Sequence, residues 1–147
     1  MSAVTIRIIN QSVHPLPEYA TPGASGMDLR AFIEQPVTLQ PMERILVPTG
    51  LFFEIPAGYE AQVRPRSGMA IKQGITCLNT PGTIDSDYRG EIKVILINLS
   101  GEQQVIRNGD RIAQVVIQKV EKVQWIVAEA ISETDRNDGG FGHTGKH

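Results

Sequence analysis

Glu91-Ile92-Lys93-Val94-Ile95-Leu96-Ile97-Asn98-Leu99 is the stretch on which the reading of the fold turns. It is dense in β-branched side chains, which lose little in a pleated sheet and crowd the preceding turn of a helix. Runs of the same character recur at Val4–Ile9, Arg44–Ile55, Arg111–Val120 and Val123–Val127, separated by Pro, Gly and Asn. Only Ser67–Gln73 reads as a short helix, with Ser67 placed to cap its first turn. Trp125, in a Val/Ile strand, reads as core or interface. No repeat of fixed period and no internal linker interrupts the strand-and-turn rhythm. The fold class is therefore all-β, and a sandwich, a jelly roll and a closed barrel all fit the pattern.

The bulk properties set limits on function. A chain of 147 residues is the size of one domain and is long enough to bury a core without covalent staples. Cys77 is its only cysteine, so an internal disulfide and a multi-cysteine zinc site are excluded; between Thr76 and Leu78 it reads as a small buried hydrophobe. His14 and His143 lack a second ligand at metal spacing. A net charge of −2 with interspersed signs provides no broad basic field for nucleic acid. Neither a secretory signal nor a run of roughly twenty apolar residues is present, so a soluble cytoplasmic protein without membrane contact is expected. From Ser132 onward the chain is polar and glycine-rich, which divides it into a β domain, 1–131, and an arm, 132–147, expected to be mobile unless docked.

Five clusters stand out from this background. Ala24-Ser25-Gly26-Met27-Asp28-Leu29-Arg30-Ala31 places a carboxylate at the start of a strand after a tight glycine turn, and taken alone needs no more than that turn. Arg64-Pro65-Arg66-Ser67-Gly68-Met69-Ala70 sets a guanidinium, a hydroxyl and glycine amides at the start of the short helix; it serves equally as a phosphate cradle or a surface turn. Asn79 to Gly90 packs Asp85, Asp87, Tyr88 and two glycines into a hairpin-like stretch, where carboxylates can act as general bases and an aromatic can cover a ligand. Gly109-Asp110-Arg111-Ile112-Ala113-Gln114 reads most simply as a turn entering a buried strand, with Gln114 a surface amide. Arg136 to His147 spaces its glycines and lysine like a Walker loop but lacks the following Ser or Thr and helix, so that reading fails. A flexible anion-binding arm bearing Arg136 and Phe141 remains, beside the plain alternative of a disordered tail.

In this order, the five clusters resemble the five motifs of the trimeric dUTPase family. Arg66-Ser67-Gly68, Gly82-Thr83-Ile84-Asp85-Ser86-Asp87-Tyr88-Arg89-Gly90 and Gly139-Gly140-Phe141-Gly142-His143-Thr144-Gly145 carry the match; Pro81 and His143 are where members are expected to differ. The resemblance implies a jelly-roll subunit, a homotrimer whose three sites are each built from all three chains, and hydrolysis of dUTP to dUMP and pyrophosphate. That reaction lowers dUTP and supplies dUMP for dTMP synthesis. Motifs one, two and four would come from one chain, motif three from a second, and the arm from the third.

Residue by residue, the resemblance implies Asp85 as general base, bonded to the sugar 3′-hydroxyl and orienting the water that attacks the α-phosphorus. Tyr88 would exclude a ribose 2′-hydroxyl, and Asn79, Thr83, Ile84 and Lys93 would read the uracil edge. Arg66, Ser67, Gly68 and Gln114 would hold the phosphates, with Mg²⁺ kept by phosphate oxygens and water rather than by protein ligands. Asp28 would act indirectly, through metal-bound water or the motif-two loop. Phe141 would stack on uracil while Arg136, Gly142 and Thr144 enclose the terminal phosphates. Two rivals share the fold: a dCTP deaminase, which would need a glutamate where motif three offers Asp85 and Asp87, and a jelly roll that binds nucleotide without turnover.

Overall fold

The computed structural model describes residues 3–146; Met1, Ser2 and His147, at the ends of the expected domain and arm, lie outside the described residues. One four-stranded sheet runs in the order β1 (Arg7–Asn10), β4 (Arg44–Glu54), β8 (Glu91–Asn98), β6 (Ile75–Cys77). A second runs β2 (Met27–Arg30), β10 (Arg111–Lys119), β5 (Tyr59–Arg64), β7 (Gly82–Ile84), and β3 (Val37–Leu39) pairs with β9 (Gln104–Ile106). All pairings are antiparallel, and α1 (Ser67–Gln73) is the single α-helix among the described residues. This is an all-β jelly roll.

The fold-deciding stretch forms β8, where Ile92, Val94, Leu96 and Asn98 are buried while Lys93 is exposed. Ile92, Val94 and Leu96 join Leu29, Ala61, Val63, Ile112 and Val115 from the other sheet in one apolar cluster. Asn98 is fully buried yet satisfied: its amide donates to Leu39 O and Glu102 O, and its oxygen accepts from Ser100. Such a group costs stability only if a partner is lost. Pro48 interrupts β4 at a register shift between Pro48 and Leu51, a place where a strand tolerates a missing donor. The bulge is held from β8, since Thr49 Oγ1 donates to Ile92 O at 2.6 Å and Gly50 N donates to Glu91 Oε2 at 3.0 Å.

The structure corrects four expectations. Ser67 does not cap α1; the N-cap is Arg66, extended at φ −92° and ψ 130°, with no side-chain capping bond. The stretch from Asn79 to Gly90 is not a hairpin, because β7 pairs with β5 while β8 pairs with β4 and β6, so residues 85–90 carry the chain between sheets. Val123–Val127 is irregular rather than a strand: β propensity alone forms no ladder, and this segment pairs with none of the sheets. Trp125 is 86% exposed, so that of the two expected places, core or interface, the core is excluded and the interface stays open. The first strand also starts later than expected, at Arg7. No helix among the described residues is long and apolar enough to cross a membrane.

Cys77 is 2% exposed at the end of β6, and burial, which penalises the thiolate, pushes its pKa up to about 11. The folded state thus holds this proton to higher pH than the unfolded state, and its contribution to stability is lost as pH rises toward that value. A thiol reagent at pH 8 is expected to label Cys77 no faster than the protein unfolds, and fully in denaturant. Rapid labelling of the folded protein would contradict the burial.

Candidate functional site

Strand register brings the first, second and fourth motifs together. In the β2–β10–β5 row, Asp28 lies opposite Gln114, and Gln114 lies opposite Arg64 on the other side. Two residues beyond the end of β5, Arg66 turns back so that its Nε donates to Asp28 Oδ1 at 3.0 Å, while its Nη1 donates to Arg111 O at 3.2 Å. Arg111 Nη1 donates to the other carboxylate oxygen at 3.4 Å. The Asp28 side chain is 35% exposed, so the value of this shared carboxylate lies in aiming two guanidinium groups more than in stability. Gln114 is not a free surface amide: its Nε2 donates to Pro65 O at 3.1 Å, fastening motif four to motif two.

Above this network lies an open cleft of ≈ 380 Å³ lined by Arg66, Gly68, Met69, Lys72, Gln73, Asp110 and Arg111. Ser67 is exposed at the first position of α1. Its lining sets three cationic side chains, Arg66, Lys72 and Arg111, against one carboxylate, Asp110, whose Oδ2 already accepts from Arg107 N, so the surface suits an anion. Lys72 and Arg111 were not assigned a role from sequence. Arg111 was legible in principle as the cation between the Gly109-Asp110 turn and Gln114; Lys72 becomes visible only when α1 is set against that turn.

A second cleft, ≈ 390 Å³, contains the third motif: Asn79, Thr83, Ile84, Asp85, Tyr88 and Lys93 all line it, together with Leu46, Glu91, Ile92 and Ile95. The segment 85–90 is fixed by its own bonds. Tyr88 N donates to Asp85 O at 3.2 Å, Tyr88 Oη donates to Glu91 O at 2.9 Å, and Arg89 Nη1 donates to Ser86 O at 2.6 Å. The peptide bond Thr80–Pro81 is cis. This cleft shares no lining residue with the cationic one. Register explains why: Ala61 faces Ile84 and Val63 faces Gly82, so β7 carries Asp85 toward the start of β5 while Arg66 follows its end. Six residues of strand separate those levels, roughly 20 Å at the usual rise.

The arm reaches neither cleft. Its hydrogen bonds are local, with Arg136 Nε donating to Gly139 O at 2.6 Å and Asn137 and Thr134 bonded to each other. Phe141, Gly142 and Thr144 are exposed, with Phe141 and Gly142 at φ 51° and 82°. Of the residues expected to act together, Asp28, Arg66 and Gln114 are joined, the six of motif three and β8 are joined, and Arg136, Phe141, Gly142 and Thr144 stand apart from both.

The all-β jelly roll thus carries one cleft at an inter-sheet connection and one cationic cleft at a short helix. Residues 13–145 match the family model for dUTPase. Deoxyuridine 5'-triphosphate nucleotidohydrolases of Finegoldia magna and Fusobacterium nucleatum are similar at 59% identity over 140 residues and 55% over 146. These alignments cover 95% of this chain and 98% of the first relative, and 99% of this chain and 100% of the second. Among solved structures, the dUTPase of Staphylococcus bacteriophage 80alpha with dUPNHPP has the same fold, with a TM-score of 0.81 at 24% identity over 96% of this chain and 98% of that one. The chain belongs to the dUTPase family.

The Gln114 contact rests on the absence of a side chain at Gly26, where an added Cβ would lie 2.8 Å from Gln114 Oε1 and 3.3 Å from Val115 O. Gly26→Ala is expected to break the Gln114–Pro65 bond and cost about 1–3 kcal/mol in urea denaturation. Gly68→Ala, whose Cβ meets nothing within 4 Å, should not lower stability. Equal behaviour of the two variants would contradict the packing.

Proposed function

We propose that the chain hydrolyses dUTP to dUMP and pyrophosphate by attack of water at the α-phosphorus, lowering dUTP and supplying dUMP for dTMP synthesis. The observation that carries this reading is the gathering of Asn79, Thr83, Ile84, Asp85, Tyr88 and Lys93 in one cleft, apart from a cationic cleft suited to phosphate. The names of the bacterial relatives and the dUPNHPP held by the phage enzyme agree with it.

In this reading Asp85 is the general base: it accepts a hydrogen bond from the sugar 3′-hydroxyl and takes the proton of the attacking water, and its exposed position leaves it accessible to both. Tyr88 fills the space a 2′-hydroxyl would need. Asn79, Lys93 and the backbone of Thr83 and Ile84 read the uracil edge, rejecting a base with the wrong donors. Arg66, Ser67, Gly68 and Gln114 hold the phosphate chain. The uncapped first turn of α1 leaves its leading amides available to phosphate oxygens.

Asp28 has both carboxylate oxygens engaged by Arg66 and Arg111, which fits a residue that orients the phosphate-binding loop or a water on a metal. Mg²⁺, brought in on the triphosphate, would neutralise its oxygens. The cytoplasm, where nucleotides are made, is the expected compartment.

The roughly 20 Å between the Asp85 and Arg66 levels of β5 supports a reading in which the two halves of the reaction come from different chains. A homotrimer supplies them, with motif three of one chain set against motifs one, two and four of a second. The arm of the third adds Phe141 on uracil, with Arg136, Gly142 and Thr144 around the terminal phosphates. Pyrophosphate release from dUTP tests the reaction directly. Ammonia release from dCTP would point instead to a deaminase, and binding without either product to a non-catalytic jelly roll.

Asp85→Asn is expected to retain dUTP binding and lose turnover by at least ~10²-fold; near-normal turnover would remove Asp85 from this role. Deleting residues 136–147 removes no strand, so melting temperature should hardly change while turnover falls sharply. Mixing that deletion with Asp85→Asn and allowing subunit exchange should restore activity, because some mixed trimers then combine an intact arm with an intact Asp85. No recovery despite proven mixed trimers would place both elements within one chain.

A further inference from the structure

The motif-three loop contains a glycine whose backbone conformation does not require one. Gly90 is not among the residues with positive φ, so any small residue could adopt its conformation. What a side chain there meets first is Tyr88: a Cβ at Gly90 would lie 2.6 Å from Tyr88 Cζ and 2.9 Å from Cε1, with the hydroxyl oxygen nearer still. The ring lies folded over Gly90, and its hydroxyl donates to the next carbonyl, Glu91 O, at 2.9 Å. That carbonyl is itself held in place. The Glu91 carboxylate accepts from Gly50 N at 3.0 Å, tying the first residue of β8 to the bulge of β4.

We infer that Gly90 is a positioning residue for sugar selection, acting through Tyr88. This rests on the reading of Tyr88 as the group that fills the space of the 2′-hydroxyl. Tyr88 is 44% exposed, so little packing holds its ring from the solvent side. Its position depends instead on the empty volume over Gly90 and the bond to Glu91 O. A methyl group at Gly90 pushes the ring out of that volume, breaks the hydroxyl bond and leaves the ring free to swing into solvent. The space denied to a 2′-hydroxyl then opens while the loop backbone and the uracil-reading groups stay in place.

The test compares kcat/KM for dUTP and UTP in four proteins: Gly90→Ala, Tyr88→Ala, the double variant and Tyr88→Phe. Gly90→Ala is expected to narrow the dUTP preference by about tenfold or more, the scale on which a pocket discriminates a single hydroxyl. Tyr88→Phe adds no bulk and removes only the bond to Glu91 O, so it should narrow the preference in the same direction by less. In the Tyr88→Ala background, Gly90→Ala should have no further effect on the ratio, because the group it displaces is gone. An unchanged ratio in Gly90→Ala, or the same narrowing with and without Tyr88, would overturn the inference. If Gly90→Ala fails to fold, an unchanged ratio in Tyr88→Phe overturns it. An unchanged ratio in Tyr88→Ala sinks the sugar-filter reading itself, whereas a change there without one in Gly90→Ala sinks only the role of Gly90.

Discussion

Gln114 has Asp28 opposite it on one neighbouring strand and Arg64 on the other, and the cationic cleft depends on that register. Side chains alternate along a strand, so a slip of one residue would exchange the inward and outward faces of β10. Burial opposes such a slip. Ile112, Ala113 and Val115 belong to the apolar cluster, and β10 absorbs its one irregularity between Arg111 and Ala113, before Gln114. Core packing on one face of β10 thus fixes the polar row on the other. Arg66 needs no burial of its own to be aimed, because Asp28 is delivered to it by a strand that the core holds still.

The same geometry limits what one chain can do alone. Antiparallel pairing of β7 with β5 sends motif three away from motif two, even though the two pair along the same strand. No side chain spans roughly six residues of strand rise. A site that needs Asp85 and Arg66 on one substrate is more easily built between chains, which agrees with the assembly proposed above. The arm follows similar logic: its hydrogen bonds are local, and its glycines and polar residues bring little apolar area with which to offset ordering entropy.

Sequence legibility followed the range of the interactions involved. β8, β4 and β10 were readable to within a residue or two because β-branched density is a local property of each run. The order β1-β4-β8-β6 was not, since pairing joins residues such as Arg7 and Glu54 that no local pattern connects. The boundaries of α1 were found, but its cap was misplaced by one residue because extended backbone at Arg66, with no capping side chain, leaves no compositional trace. Turn residues between two β runs suggested a hairpin at Asn79–Gly90; whether flanking strands pair with each other or with distant partners depends on the whole sheet. The joining of Asp28 to Arg66 and Arg111 was legible only as a possibility, because it spans 38 and 83 positions of sequence.

The segment after β10 is where these arguments meet. Val123, Trp125, Ile126, Val127 and Ile131 are each more than two-thirds exposed, on a stretch whose composition calls for a strand and which pairs with no strand of its own domain. Apolar surface of this kind is costly in water, and a contiguous run of it is what an association surface presents. The sequence carries β propensity and apolar area that a single chain does not use, just ahead of an arm that its own domain does not bind. In the proposed trimer both acquire partners from neighbouring chains: the segment buries its apolar face at a subunit boundary, and that burial carries the arm to a cleft its own barrel could not offer it.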